Sequence, residues 1–178
     1  MVEQMKKKVA FLLADEFEDS EMKNPYDAMT KNGMEAVIIS LQKGQTLKGK
    51  NGTIEYTSHL SAGDALAQDY EAVVIPGGKS PGHLLQNKRI IEFVTEANQQ
   101  GKLIAAICHG PQVLAEAGLL RGRTLTGYPG IADEIREAGG HYEDREVIVD
   151  GNLITSRTPE DEPAFIKAII DRLGVEAY

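Results

Sequence analysis

The chain has 178 residues, a formal net charge of −8, 42% hydrophobic residues and one cysteine. That length suits one substantial core, so a single domain over 1–178 is expected, and with no basic cluster beyond Lys6-Lys7-Lys8 no specific nucleic-acid binding is expected. A lone cysteine rules out an internal disulfide, no apolar run reaches membrane-spanning length, and Val9 to Ala14 is too short for a signal peptide, so the cytoplasm is the expected location.

In chain order, Lys8 to Ala14 has the continuous apolar character of a buried parallel strand. The acidic turn Asp15-Glu16-Phe17-Glu18-Asp19-Ser20 follows, then a helix to about Asn32 that Gly33 ends. Glu35 to Leu41 is a second strand, and Gly44 to Thr57, broken by Gly49, Asn51 and Gly52, is a hairpin excursion. A short helix is expected from Ser61, a third strand over Tyr70 to Ile75, and a tight turn at Pro76-Gly77-Gly78. A helix runs from after Asn87 to Gly101, then a strand from Leu103 to Ile107 and a helix over Gln112 to Ala117. Thr124 to Thr126 is a short strand and Ile131 to Ala138 a short helix. Glu146 to Val149 and Leu153 to Ser156 flank the hairpin turn Asp150-Gly151-Asn152, and Pro163 to Leu173 is the closing helix.

Strands alternating with helices at these spacings imply right-handed crossovers and a mostly parallel, doubly wound α/β sheet covered on both faces. Ligands of such sheets bind beyond the carboxyl ends of the strands, so the turns after Ala14, Ile75 and Ile107 should meet at one crevice. Cys108 lies there, in a strand-to-helix turn with Ala106 and Gly110 keeping the neighbouring backbone clear, the pattern of a nucleophile elbow. A helix start favours the thiolate, so a lowered thiol pKa is expected. Gly77 and Gly78 can turn backbone N–H groups toward an anion and, with the N–H of His109, form an oxyanion hole. Glu16 and Asp19 suit a solvated turn and a first helical turn, which leaves Glu18 as the carboxyl best placed to hold a proton beside the sulfur. His141-Tyr142-Glu143 matches a His-x-Glu pair but lies too soon after the cysteine and beside a hairpin, so a surface position is expected. No residues show metal-ligand spacing, and the phosphate-loop and dinucleotide glycine patterns are missing, so neither metal nor cofactor is expected.

Five motifs in order, Asp15-Glu-Phe-Glu-Asp19, Pro76-Gly-Gly78, Ala105-Ala-Ile-Cys-His-Gly-Pro-Gln112, Tyr128-Pro-Gly130 and Thr155-Ser-Arg-Thr-Pro159, resemble the PfpI branch of the DJ/PfpI superfamily over nearly the whole chain. The resemblance implies a flavodoxin-like sandwich related to class I glutamine amidotransferases. It makes Cys108 the nucleophile, Glu18 the carboxyl at its sulfur, His109 the partner base, and Gly78 and His109 the oxyanion donors. It also implies a homodimer or larger homo-oligomer, with Pro76 to Leu85 near a subunit contact. Substrates would be small carbonyl compounds or modified proteins and peptides, handled by a glyoxalase, a deglycase or an intracellular cysteine peptidase; a redox sensor or chaperone is the non-enzymatic alternative. Gly82 departs from the pattern, because protease-like members carry there an acid that orients the histidine of a neighbouring subunit. Without it a Cys–His pair suits addition to aldehydes better than peptide hydrolysis.

Overall fold

The computed structural model describes residues 6–174. The chain runs β1 (Lys8–Leu12), α1 (Asp19–Lys31), β2 (Glu35–Ser40), β3 (Thr46–Lys48), β4 (Glu55–Thr57), β5 (Leu60–Ser61), β6 (Ala72–Ile75), α2 (Ser80–Leu84) and α3 (Lys88–Gln99). It continues through β7 (Leu103–Ile107), α4 (Pro111–Glu116), β8 (Thr124–Leu125), α5 (Ala132–Glu137), β9 (His141–Tyr142), β10 (Ile148–Asp150), β11 (Leu153–Ser156) and α6 (Glu162–Leu173). Seven strands form the main sheet in the order β10-β11-β7-β6-β1-β2-β5, parallel except for the antiparallel β10–β11 pair. This is the doubly wound, flavodoxin-like α/β arrangement.

The alternation of side chains along each strand divides the core in two. Ala10, Leu12, Val73, Ile75, Ile104 and Ala106 face one way, under Ile90, Phe93 and Val94 of α3 and Val113 and Leu114 of α4. Val9, Phe11, Val74, Leu103, Ala105 and Ile107 face the other, under Met22 and Met29 of α1 and Phe165 and Ile169 of α6. Burial on both faces is why β1, β6 and β7 read as unbroken apolar runs. They are neighbours in the sheet, so their carboxyl ends open side by side.

Three local features depart from the sequence expectation. The short helix expected from Ser61 is reduced to a 3₁₀ turn, Ala62–Asp64, with Ser61 at its start, because Leu60 and Ser61 pair with Ile39 and Ser40 as an edge strand. The free edge of β2 offers hydrogen bonds that a lone helical turn cannot match. Ser80–Leu84 forms a helical turn that a segment containing Pro81 and Gly82 does not advertise; Pro81 sits in its first turn, where a missing N–H costs nothing. Ser80 Oγ also accepts the Ala14 N–H at 2.9 Å, fastening α2 to the end of β1. Finally, His141–Tyr142 pairs in parallel with β8, outside the main sheet.

Candidate active site

Cys108 joins β7 to α4 with φ of +61°, the left-handed region that non-glycine residues rarely occupy. The strain is held on both sides: the Cys108 N–H donates to Ser156 O at 3.1 Å, and Cys108 O accepts the Tyr128 N–H at 2.8 Å. Gly110 is required by close approach, since a Cβ there would stand 2.5 Å from Ile75 O. The elbow expected from the glycine spacing is therefore present, with its side chain only 8% exposed.

The loops after β1 and β6 close over it. Phe17 bridges Gly78, the Glu18 N–H donates to Gly77 O at 3.1 Å, and the Lys79 N–H donates to Glu16 O at 2.8 Å. Gly78 adopts φ of +79°, and a Cβ there would lie 2.4 Å from Glu18 N. A Cβ on Gly77 would lie 2.5 Å from Glu21 Oε1 and 2.7 Å from Cys108 Cβ, so this glycine lets a carboxyl and the cysteine crowd together.

The carboxyl on the floor of the crevice is that of Glu21, not Glu18. Glu21 is fully buried; its Oε1 accepts the Gly77 N–H at 2.9 Å, while Oε2 receives no hydrogen bond. An ionised carboxylate with one dry, unpartnered oxygen is the costly form. Burial accordingly pushes Glu21 up to about 8, against the Gly77 hydrogen bond and helped by the negative charges of Glu18 and Glu162, so at neutral pH it holds a proton. Because the Gly77 N–H is spent on Glu21, Gly77 is not free to serve an oxyanion. The N–H groups of Gly78 and His109 instead address the sulfur.

Burial also pushes the Cys108 thiol up to about 12, with a Glu21 negative charge adding to the rise and the two N–H groups and Lys50 opposing it. The lowered thiol pKa expected from the helix start is thus not what this pocket produces: α4 has only six residues, and desolvation outweighs its dipole. A proton on Glu21 removes its contribution to the rise, so the two groups titrate as a pair. His109 places Nδ1 3.3 Å from Cys108 Sγ, and its ring stacks on Tyr128 with centroids 4.6 Å apart. Burial and the Lys50 charge lower the His109 pKa, leaving a neutral imidazole able to take the thiol proton.

Glu18 lies at the rim. Its Oε2 pairs with Lys50 Nζ at 2.5 Å and its Oε1 accepts from Asn51 Nδ2 at 3.2 Å, so its carboxylate is committed to the β3–β4 loop. Asp19 builds that loop, accepting the N–H groups of Asn51 and Thr53 and the Thr53 hydroxyl; burial opposes its ionisation, but these bonds win and hold it below the usual carboxylate range. Glu16 faces outward with Lys79 and His83, and His141 and Glu143 form an exposed pair at 3.7 Å, at the surface as expected. Gly82 has open space where a Cβ would stand. Glu21 and Lys50 are the site residues that sequence patterns missed, and Tyr128, though part of the Tyr128-Pro-Gly130 motif, was given no role. The only hint was that Glu21 falls one helical turn beyond Glu18. Among the described residues no group of three His, Cys, Asp or Glu side chains is placed to hold a metal ion.

Known proteins resemble the chain over nearly its whole length. A model of the DJ-1/PfpI family matches residues 7–172. The chain is 42% identical over 171 residues to protein/nucleic acid deglycase 2 of Escherichia coli, covering 96% of this chain and 99% of that one. It is 44% identical over 162 residues to general stress protein 18 of Bacillus subtilis, covering 90% and 94%. Among solved structures, a two-domain protein of Anabaena variabilis with DJ-1/ThiJ/PfpI-like and ferritin-like domains superposes with a TM-score of 0.94 at 44% identity. The match spans 95% of this chain and 48% of that longer one.

Proposed function

The chain belongs to the DJ-1/PfpI family, and from that membership we propose a stress-associated, cysteine-dependent deglycase or glyoxalase acting on reactive carbonyls or glycated adducts. The observation that carries this reading is the Cys108 elbow: a strained cysteine with an imidazole nitrogen 3.3 Å from its sulfur, where the N–H groups of Gly78 and His109 favour the thiolate. In the first step His109 Nδ1 takes the thiol proton and the sulfur adds to an electrophilic carbonyl carbon. The C=O π pair moves onto oxygen, which takes a proton from the neutral Glu21 carboxyl. The proton-holding role expected of Glu18 passes to Glu21 in this proposal. Gly78 and His109 supply the N–H donors, and Gly77 keeps the Glu21 carboxyl in place.

A cysteine peptidase is the second reading, and one feature ranks it lower. Stacking on Tyr128 fixes the plane of the His109 ring but not its tautomer, with Gly82 where an orienting acid would stand, and amide hydrolysis needs the tautomer set so that the imidazole can protonate the amine. We place the protein in the cytoplasm as a homodimer or larger homo-oligomer; no described helix is long and apolar enough to cross a membrane. Incubation with methylglyoxal and, separately, with unfolded casein, beside Cys108→Ala, tests the ordering. Methylglyoxal consumption that disappears in the variant is expected. Robust proteolysis that disappears in Cys108→Ala, without aldehyde consumption, makes the peptidase the better reading.

A further inference from the structure

We propose that Lys50 is the anion-recognition group of this site, favouring carbonyl compounds that carry a carboxylate over uncharged ones. The proposal rests on the carbonyl-handling reading above and names its substrate class.

Lys50 is placed by construction rather than by chance. Its N–H donates to Phe17 O at 2.9 Å, and the residues on either side are fixed against α1. Gly49 bridges Phe17 and could not carry a Cβ, which would fall 2.3 Å from the Asp19 carboxyl; the Asn51 N–H donates to that carboxyl at 3.0 Å. The side chain is then drawn inward by Glu18, which Asn51 holds from its other oxygen. Glu18 in turn is tied through its backbone N–H to Gly77, the residue against which Cys108 packs. The ammonium is thus held by Glu18, whose backbone is tied to the Gly77 turn that packs on Cys108, and its charge is felt at Cys108, Glu21 and His109.

Glu18 does not exhaust this cation. An ammonium has three donors in rotatable positions, Glu18 takes one direction, and the Lys50 side chain remains 40% exposed. The Cys108 site otherwise holds the buried Glu21 carboxyl, the neutral His109 imidazole and two backbone N–H groups that act on the sulfur, none of them a cation. A substrate bound with its carbonyl at the sulfur and a carboxylate toward the rim meets Lys50, whereas an uncharged dicarbonyl gains nothing from it. Glu18 is a positioning residue here, keeping the long side chain from swinging into solvent.

Two ratios test this in the intact protein, for wild type, Lys50→Met and Lys50→Arg. The first is the affinity for glyoxylate, read as 1/Ki for its reversible inhibition of glyoxal consumption, over 1/KM for glyoxal. The second is the alkylation rate with iodoacetate over that with iodoacetamide, which reports one site because Cys108 is the only cysteine. A partly exposed charge contact supports a fall in both ratios of about three- to tenfold in Lys50→Met, appearing in Ki for glyoxylate, with Lys50→Arg retaining most of the wild-type ratio. Ratios unmoved in Lys50→Met, or lost equally in Lys50→Arg, overturn the proposal. If wild type does not consume glyoxal yet the alkylation ratio falls as stated, the carbonyl-handling reading fails and the anion subsite stands.

Discussion

Glu18 and Glu21 leave the same acidic turn one helical turn apart, yet they end in opposite physical states. Glu18, at the rim, is paired with a lysine and an asparagine and stays in reach of water. Glu21, on the floor, is dry, has one backbone donor for two oxygens, and keeps its proton at neutral pH. What separates them is solvent and not residue type. A carboxyl that must give up a proton at neutral pH is built by withholding water and donors from it, and one that must hold a cation in place is built by supplying both.

The comparison can be broken by substitution. Cys108→Ala, which removes the atom both regions serve, should lower aldehyde turnover by at least about a thousandfold, read as kcat/KM. Glu21→Gln keeps the shape and the Gly77 contact but cannot donate an acidic proton, so kcat should drop about a hundredfold. Glu18→Gln should cost much less in kcat and show its effect mainly in KM for anionic substrates; equal losses in kcat would erase the distinction between floor and rim.

Stability offers a second handle. Gly77→Ala places a methyl group between Glu21 and Cys108 and should destabilise the fold by about 1–3 kcal/mol in urea denaturation. Gly82→Ala, in the open helical turn of α2, should instead be neutral or stabilise by roughly 0.4–1 kcal/mol. The difference in pH dependence between wild type and Glu21→Gln isolates the Glu21 contribution. The folded pKa of Glu21, about 8, lies above its ordinary value of 4.5, so between those limits the folded state binds the extra proton. The contribution is full below pH 4.5 and is lost as pH rises through about 8, with a slope near ~1.4 kcal/mol per pH unit inside that window. Wild type should therefore lose stability relative to Glu21→Gln as pH rises from 5 to 8, and a constant difference between the two would mean that Glu21 is ionised throughout.

Much of the fold was legible because burial on both faces of a parallel sheet leaves a local mark. The runs at Val9, Val73 and Leu103 and the glycines after α1 and α3 needed no partner to be recognised. The elbow was legible for the same reason: Gly110 must be glycine for a contact made within the turn and with the adjacent strand. Ser61 and the α2 turn were not, since each is decided by a hydrogen-bonding partner remote in the chain, the β2 edge in one case and Ala14 in the other.

By itself, then, the sequence determined the doubly wound sheet, the cysteine at its elbow and the three loops that meet there, since apolar periodicity and glycine placement are properties of neighbouring residues. Only the tertiary structure decided which carboxyl is dry, that Gly77 spends its N–H on it, that Lys50 comes from a distant hairpin to the rim, and that burial raises the thiol pKa where a helix start alone would lower it. Those are questions of solvent access and of charge brought together from separate loops. A carboxylate in an acidic run carries no local mark of which side of its helix will face water.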